Sequence, residues 1–303
     1  MRPGFVHLHL HTEYSLVDGV VRIKPLVKAV ADAGMPAVAV TDQSNMFAMV
    51  KFYRAAMAAG VKPIVGVDLW LRNPEQIGNP WRLVLLCKDR TGYKHLTELV
   101  SRSYLHGQHQ SVPMLDREWL AGQTEGLIAL SGGREGDIGE ALLSANPELV
   151  AERLAFWKTH FPDHYYLEVQ RTGRDGEEDY LHAVVDMAAE HQLPVVATND
   201  VHFLREDDFE SHEARVCIND GRTLDDPRRA HRHSSQQYLR TPEEMLELFS
   251  DLPEALENSV EIAQRCNLEL TFGENYLPDF PVPAGMGVDE FFRQQARVGL
   301  QQR

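Results

Sequence analysis

The sequence predicts an α/β fold of alternating strands and helices, and three observations carry that prediction. Apolar, β-rich runs bounded by turn residues recur at about 5–10, 36–41, 63–70, 81–87, 126–131, 164–169 and 193–198. Helical patterns fill most of the intervals between them. Polar side chains able to bind metal gather at the C-terminal ends of the runs, where βα barrels carry their chemistry. Strand–helix alternation predicts parallel strands joined by right-handed crossovers. Seven such units suit a closed barrel better than an open sheet.

The helices follow from spacing and stop signals. Over 23–33, Ile23, Leu26, Val27 and Val30 fall on one helical face, and Gly34 and Pro36 end it. A second helix over about 45–59 stops at Gly60, ahead of Lys62-Pro63. Others fit 91–103, 147–160 and 177–191, the last two closed by Phe161-Pro162 and Leu193-Pro194. The acidic run Glu177-Glu178-Asp179 reads as a solvated helix start favoured by the helix dipole.

Past residue 204 the pattern changes. Residues 205–240 read as polar and irregular, with Asp225-Asp226-Pro227 as a turn. Thr241-Pro242-Glu243-Glu244 is a strong helix start, a capping box with proline in the first turn. Helices follow at about 242–250 and 253–265, and then a stiff linker, Pro278-Asp279-Phe280-Pro281-Val282-Pro283. Residues 288–303 begin an amphipathic helix with Phe291, Phe292 and Val298 that runs out without a stop signal, as the front of a longer protein would. The expected organisation is a barrel core over 1–204, a loop and helical extension over 205–277, and a linker leading into a further region over 278–303.

Composition narrows the function classes. No apolar run reaches the roughly 18 residues a membrane helix needs. Met1-Arg2-Pro3-Gly4 leads straight into the first strand and leaves no room for a signal peptide. Cys87, Cys217 and Cys266 lie far apart without a Cys-x-x-Cys, which predicts a reducing cytoplasm and no disulfide framework. Lys+Arg 30 against Asp+Glu 45 gives a net charge of −15, which repels a phosphate backbone and argues against a broad DNA-gripping face. The local basic stretch of Arg222, Arg228, Arg229, His231, Arg232 and His233 reads as a solvated loop. Trp70, Trp81, Trp119 and Trp157 are scattered among elements, as packing residues are, and do not form a base-stacking platform.

The chemistry begins at His7-Leu8-His9-Leu10-His11. In an extended strand the three imidazoles share one face and the leucines the other. Histidines two apart on a strand can reach one metal ion. Asp42, Asp68, Glu168 and Asn199-Asp200-Val201-His202 stand at the ends of later runs, where they would converge with the histidines on one mouth.

These residues resemble the PHP (polymerase and histidinol phosphatase) domain family, in particular the branch that opens the α (catalytic) subunits of bacterial replicative DNA polymerase III. The resemblance spans the whole chain. It is carried by Phe5-Val6-His7-Leu8-His9-Leu10-His11-Thr12 through Asp18-Gly19, by Gly34-Met35-Pro36 through Thr41-Asp42, by Lys62-Pro63-Ile64-Val65-Gly66, and by Ala197-Thr198-Asn199-Asp200-Val201-His202-Phe203. It implies a distorted seven-stranded (β/α)7, TIM-like barrel with a C-terminal helical extension. It also implies a polymerase region downstream whose magnesium ions and catalytic aspartates lie outside this chain.

In active members a cluster of up to three metal ions hydrolyses phosphoesters, each ion lowering the pKa of bound water. By motif position the ligands are His9, His11, Asp18, Asp68, Asp200 and His202, with zinc or manganese as the metal and His7 orienting a ligand. Three departures weaken that set. Gln43 follows Thr41-Asp42 where histidine is usual, Asp68 replaces a glutamate, and Gly133 stands near the place of a cysteine. His106 or His109 is a candidate for the ligand expected after the fourth strand.

The resemblance therefore implies a degenerate site holding few ions or none. It implies a scaffold that docks the ε proofreading exonuclease, belongs to the rest of the α subunit and the polymerase III holoenzyme, and meets DNA through the parent protein. The alternative is an active metal-dependent phosphoesterase, either histidinol-phosphatase-like or an intrinsic exonuclease.

Overall fold

A computed structural model describes residues 4–275, 277 and 279–303. Met1-Arg2-Pro3 and Pro278, the first residue of the expected linker, lie outside the described residues. The chain divides into two compact units, Met1–Leu268 and Glu269–Arg303. Among the described residues the first unit holds the strands β1 (Ala37–Val40), β2 (Lys62–Leu71), β3 (Trp81–Cys87), β4 (Gln108–His109), β5 (Val112–Leu115), β6 (Leu127–Leu130), β7 (Tyr165–Val169) and β8 (Val195–Ala197). Its helices are α1 (Ile23–Asp32), α2 (Met49–Ala58), α3 (Arg90–His106), α4 (Asp137–Leu143), α5 (Pro147–His160), α6 (Glu177–His191), α7 (Phe209–Asp220), α8 (Pro242–Leu248) and α9 (Pro253–Arg265). The second unit contains α10 (Val288–Gln301), where Phe280 packs on Phe291.

The sheet runs β4-β5-β2-β3-β6-β7-β8, with β1 paired to β2. β1/β2, β2/β5, β6/β7 and β7/β8 are parallel, but β2/β3 and β3/β6 are antiparallel. This corrects the expectation of parallel strands throughout. Residues 72–80 form a loop without a crossover helix, so the chain turns back directly and β3 enters reversed.

The first run, 5–10, also departs from expectation. It is extended but forms an isolated bridge at Leu10–Val201, without a continuous strand ladder. Two of its amides are taken by hydroxyls: Val6 N–H donates to Ser259 Oγ (3.0 Å) and Leu10 N–H to Thr41 Oγ1 (2.9 Å). The remaining backbone still bonds on both sides. Ala39 and Thr41 donate to His7 and Leu10 carbonyls, while His11 donates to Val201 and Val201 to His9. Residues 7–11 thus lie in the gap between β1 and β8 and bond to both sides of it.

Alternation along β1 sorts the core. Val38 and Val40 pack with Ile23, Leu26, Val27 and Val30 of α1 and Phe52 of α2. Ala37 and Ala39 face Leu8, Ile64, Val84, Leu86, Ile128 and Leu130, with Ile262 of α9. The α8 start behaves as its sequence predicts. Thr241 Oγ1 accepts from Glu244 N–H (3.2 Å), and the Glu244 carboxylate accepts from Thr241 N–H (2.7 Å).

Helix α7 lies inside the segment expected to be irregular. Its buried face includes His212 and Glu213 beside Val216 and Cys217, so it carries no plain apolar stripe for periodicity to detect. The first acidic residue of α6 is not solvated. Glu177 is buried and accepts from Thr172 N–H and Thr172 Oγ1–H, each at 2.6 Å.

At the start of α3 the backbone passes so close to Gly126 that a Cβ on Gly92 would meet the Gly126 carbonyl oxygen at 1.8 Å. Both contacts are backbone, so neither can swing aside. Gly92→Ala is expected to cost about 3 kcal/mol of unfolding free energy in urea titrations. Gly78→Ala, with nothing within 4 Å of its Cβ, should stay within about 0.5 kcal/mol.

Candidate functional site

The candidate ligands converge, and an arginine sits among them. Arg82, on β3, is buried and donates through Nε and Nη2 to Asp68 Oδ2 and through Nη1 to Asp200 Oδ2 (3.0 Å). Its Nη2 also lies 3.0 Å from His9 Nε2 and 3.2 Å from Asp200 Oδ1. Arg174 approaches Asp200 Oδ2 at 3.6 Å and shares Glu135 with Arg82. The guanidinium of Arg82 therefore engages the carboxylate and imidazole atoms that an ion between His9, Asp68 and Asp200 would use.

The remaining contacts orient the histidines. His9 Nδ1 meets Glu168 Oε1 at 2.6 Å, and Glu168 also accepts from Thr198 Oγ1–H and Gln170 Nε2–H. His11 lies between two carboxylates, Asp18 Oδ1 at 3.0 Å and Asp68 Oδ2 at 3.1 Å. His202 meets Asp200 Oδ1 (3.1 Å) and the Asp18 carbonyl (3.1 Å), and its ring stands edge-on to His11. Asp200 adopts a left-handed backbone (φ 42), held where Gln237 Nε2–H donates to its carbonyl and its Oδ2. Asp68 Oδ1 and Glu168 Oε2 are buried without a hydrogen-bond partner.

Electrostatics follow from this pairing. Burial disfavours charge at every member, but opposite charges outweigh it. Against burial, Glu168 and Asp200 raise His9 to about 9, and Asp18 and Asp68 raise His11 to about 10. Against burial, Arg82 holds Asp68 and Asp200 well below the usual carboxylate range. In the pocket Arg82, Arg174, His9 and His11 face Asp18, Asp68, Glu168 and Asp200, with Glu135 pairing to both arginines.

Two arrangements of donors bear on metal. In His9–Asp68–Asp200 the guanidinium engages His9 Nε2, Asp68 Oδ2 and both Asp200 oxygens, while one donor atom each from His9, His11 and Asp68 lies within 4.8 Å of the others. In His11–Asp18–His202 one donor atom from each lies within 4.8 Å of the others, a set suited to a single ion.

Other candidates fall elsewhere. His7 is drawn by its burial down to about 4, and its Nε2 bonds the Arg240 carbonyl at 2.8 Å. Asp42 accepts from Thr12 N–H, Thr12 Oγ1–H and Ser15 Oγ–H and pins the turn after the first run. Gln43 donates to the Asp68 carbonyl, and Gly133 faces Gln170. Among the described residues His106 and His109 belong to none of the groups of three or more potential donors. The basic stretch is largely neutralised: Arg222 and Arg228 pair with Asp226, Arg229 with Glu213, and Arg232 with Asp220. His233 in that stretch is packed against His202 rather than solvated.

The profile of the PHP domain matches residues 7–172. The chain belongs to the PHP domain family. Along its full length it is 56% identical to the DNA polymerase III subunit alpha of Pseudomonas aeruginosa, and over 99% of its length 50% identical to that of Escherichia coli K12. This PHP domain chain spans about a quarter of those relatives, 26% of each. A solved amidohydrolase from Chromobacterium violaceum aligns with 69% of the chain and 96% of its own, at a TM-score of 0.48 and 14% identity. Among the described residues no helix is long and apolar enough to cross a membrane.

Sequence reasoning missed Arg82 and Arg174. Arg82 left a signal, a charged residue inside the otherwise apolar run Trp81-Arg82-Leu83-Val84-Leu85-Leu86-Cys87. A buried strand tolerates such a residue only when partners wait for it. Arg82→Met strands two buried carboxylates and is expected to cost about 3–5 kcal/mol by denaturant titration.

The raised histidines set a pH dependence. Their ordinary value is 6.5, and folding raises them to about 9 and about 10. Their stabilising contribution is complete below pH about 6.5 and is lost as pH rises through 9 and 10. Melting temperature should fall from pH 7 to pH 10, and Glu168→Gln should flatten the lower part of that fall.

Proposed function

We propose that this chain is the PHP module of a bacterial DNA polymerase III α subunit, acting as a cytoplasmic scaffold whose phosphoesterase site has decayed. Residues 1–204 form the barrel core, 205–277 the extension that closes it, and 278–303 the approach to the polymerase region. Magnesium-dependent nucleotide addition, and contact with DNA, belong to the rest of the parent protein. The module docks the ε proofreading exonuclease in the holoenzyme and so keeps proofreading beside synthesis. Full-length likeness to α subunits supports the assignment, and the acidic surface favours a protein partner over DNA.

The observation that carries the decay is Arg82 between Asp68 and Asp200. In this reading His9, Asp68 and Asp200 serve the arginine, while His11, Asp18 and His202 are the donors left for at most one zinc or manganese ion. Hydrolysis through two ions needs both positions filled at fixed spacing, and a guanidinium cannot activate water as a metal does.

The chain, supplied with manganese or zinc, should hydrolyse neither bis(p-nitrophenyl) phosphate nor single-stranded DNA above the protein-free rate. Turnover that chelation and Asp200→Asn both abolish would instead favour the phosphoesterase reading, for which the His11–Asp18–His202 group is the supporting observation. Docking is read by size-exclusion chromatography of the full-length parent and of this chain with the ε exonuclease. Co-elution with both is expected; co-elution with the parent alone would move the docking surface out of this module.

A further inference from the structure

A second group of imidazoles adjoins the arginine-filled pocket and shares His202 with it. His202 in the loop after β8, His212 on α7 and His233 ahead of α8 bring their rings together. Centroids are 4.6 Å apart for His212–His233, 4.7 Å for His202–His233 and 5.3 Å for His202–His212. One nitrogen from each lies within 4.8 Å of the others. His212 is fully buried, and neither of its nitrogens has a hydrogen-bond partner; nor does His233 Nδ1.

That is an expensive arrangement for protein alone. A neutral imidazole carries one N–H and one acceptor nitrogen. Leaving a buried polar group unpaired costs about 1–3 kcal/mol. Protonating the rings gives no relief, because adjacent buried cations repel one another.

We propose that His202, His212 and His233 form a zinc site beside the family pocket, sharing His202 with it. Three imidazole nitrogens suit zinc, whereas magnesium and calcium take oxygen ligands. Glu213 Oε1 lies 3.4 Å from His212 Nδ1 and 3.8 Å from His233 Nδ1, without a hydrogen-bond partner of its own. A carboxylate beside ligating rings fixes their orientation and offsets the charge of a dication. Arg229 holds the other oxygen of Glu213 in place. Tetrahedral zinc, with Zn–N of about 2.0–2.1 Å, separates its ligand nitrogens by roughly 3.4 Å, so the rings need close by only about an ångström. His202 would exchange one of its present contacts, to Asp200 or to the Asp18 carbonyl, for the ion. His233 is 12% exposed and offers the way in. The site rests on the scaffold reading, because an ion held by His11, Asp18 and His202 would claim the same imidazole, and Asp18→Asn separates the two.

The test is zinc content of the 303-residue chain after chelator stripping, zinc reloading and dialysis, read by elemental analysis beside circular dichroism. About one zinc per chain is expected in the unmodified chain and in Asp18→Asn. At least a tenfold weaker affinity is expected in His233→Asn, and the same in His212→Asn if that variant folds. Anomalous diffraction at the zinc edge from crystals of the unmodified chain reads the position without any variant, and a peak touching His212 and His233 is expected. No retained zinc, a peak at His11 and Asp18, or zinc lost in Asp18→Asn but kept in His233→Asn would overturn the proposal.

Discussion

The buried ion pairing of Arg82 with Asp68 and Asp200 is the constraint on which the rest of the pocket depends. A guanidinium on a central strand brings one positive charge into the buried interior, and that charge is tolerable only because carboxylates from β2 and from the stretch after β8 meet it. The same carboxylates then dictate the state of the histidines. His9 and His11 hold their protons because anions surround them, and Thr198 and Gln170 hold the same Glu168 oxygen that meets His9. Each group is where it is because the next one is charged.

This network also ties distant parts of the chain together. Residues 7–11, β2, β3, β7 and the 198–202 segment each contribute a charged or hydrogen-bonding side chain. Of these, residues 7–11 and the 198–202 segment bond to each other at the gap between β1 and β8. A metal cluster would cross-link those elements through coordination bonds; here charge-assisted hydrogen bonds make the links, with arginine supplying fixed geometry and a permanent charge. An architecture tied in this way does not depend on coordination bonds to hold its elements together.

Much of the fold was legible because apolar spacing reports burial directly. The faces of α1 and of β1, the capping box of α8, and the long helices α5, α6 and α9 follow from it. Less legible were elements whose burial is polar. Helix α7 hides His212 and Glu213 where an apolar stripe would stand, and Glu177 looks like a surface charge until Thr172 is seen against it. The reversal of β3 was hidden as well, since strand direction depends on whether a crossover fits between strands.

The amino-acid sequence by itself determined the α/β class, because apolar spacing is a local property, and through the resemblance carried by its motifs pointed to the family and to His9, His11, Asp18, Asp68, Asp200 and His202 as one group. Only the tertiary structure decided what those residues do for one another. Ion pairing depends on distances between segments far apart in the chain, such as Arg82 and Asp200, 118 residues apart. A buried charge is read correctly only when its partner is known, and the partner of Asp68 and Asp200 proved to be an arginine.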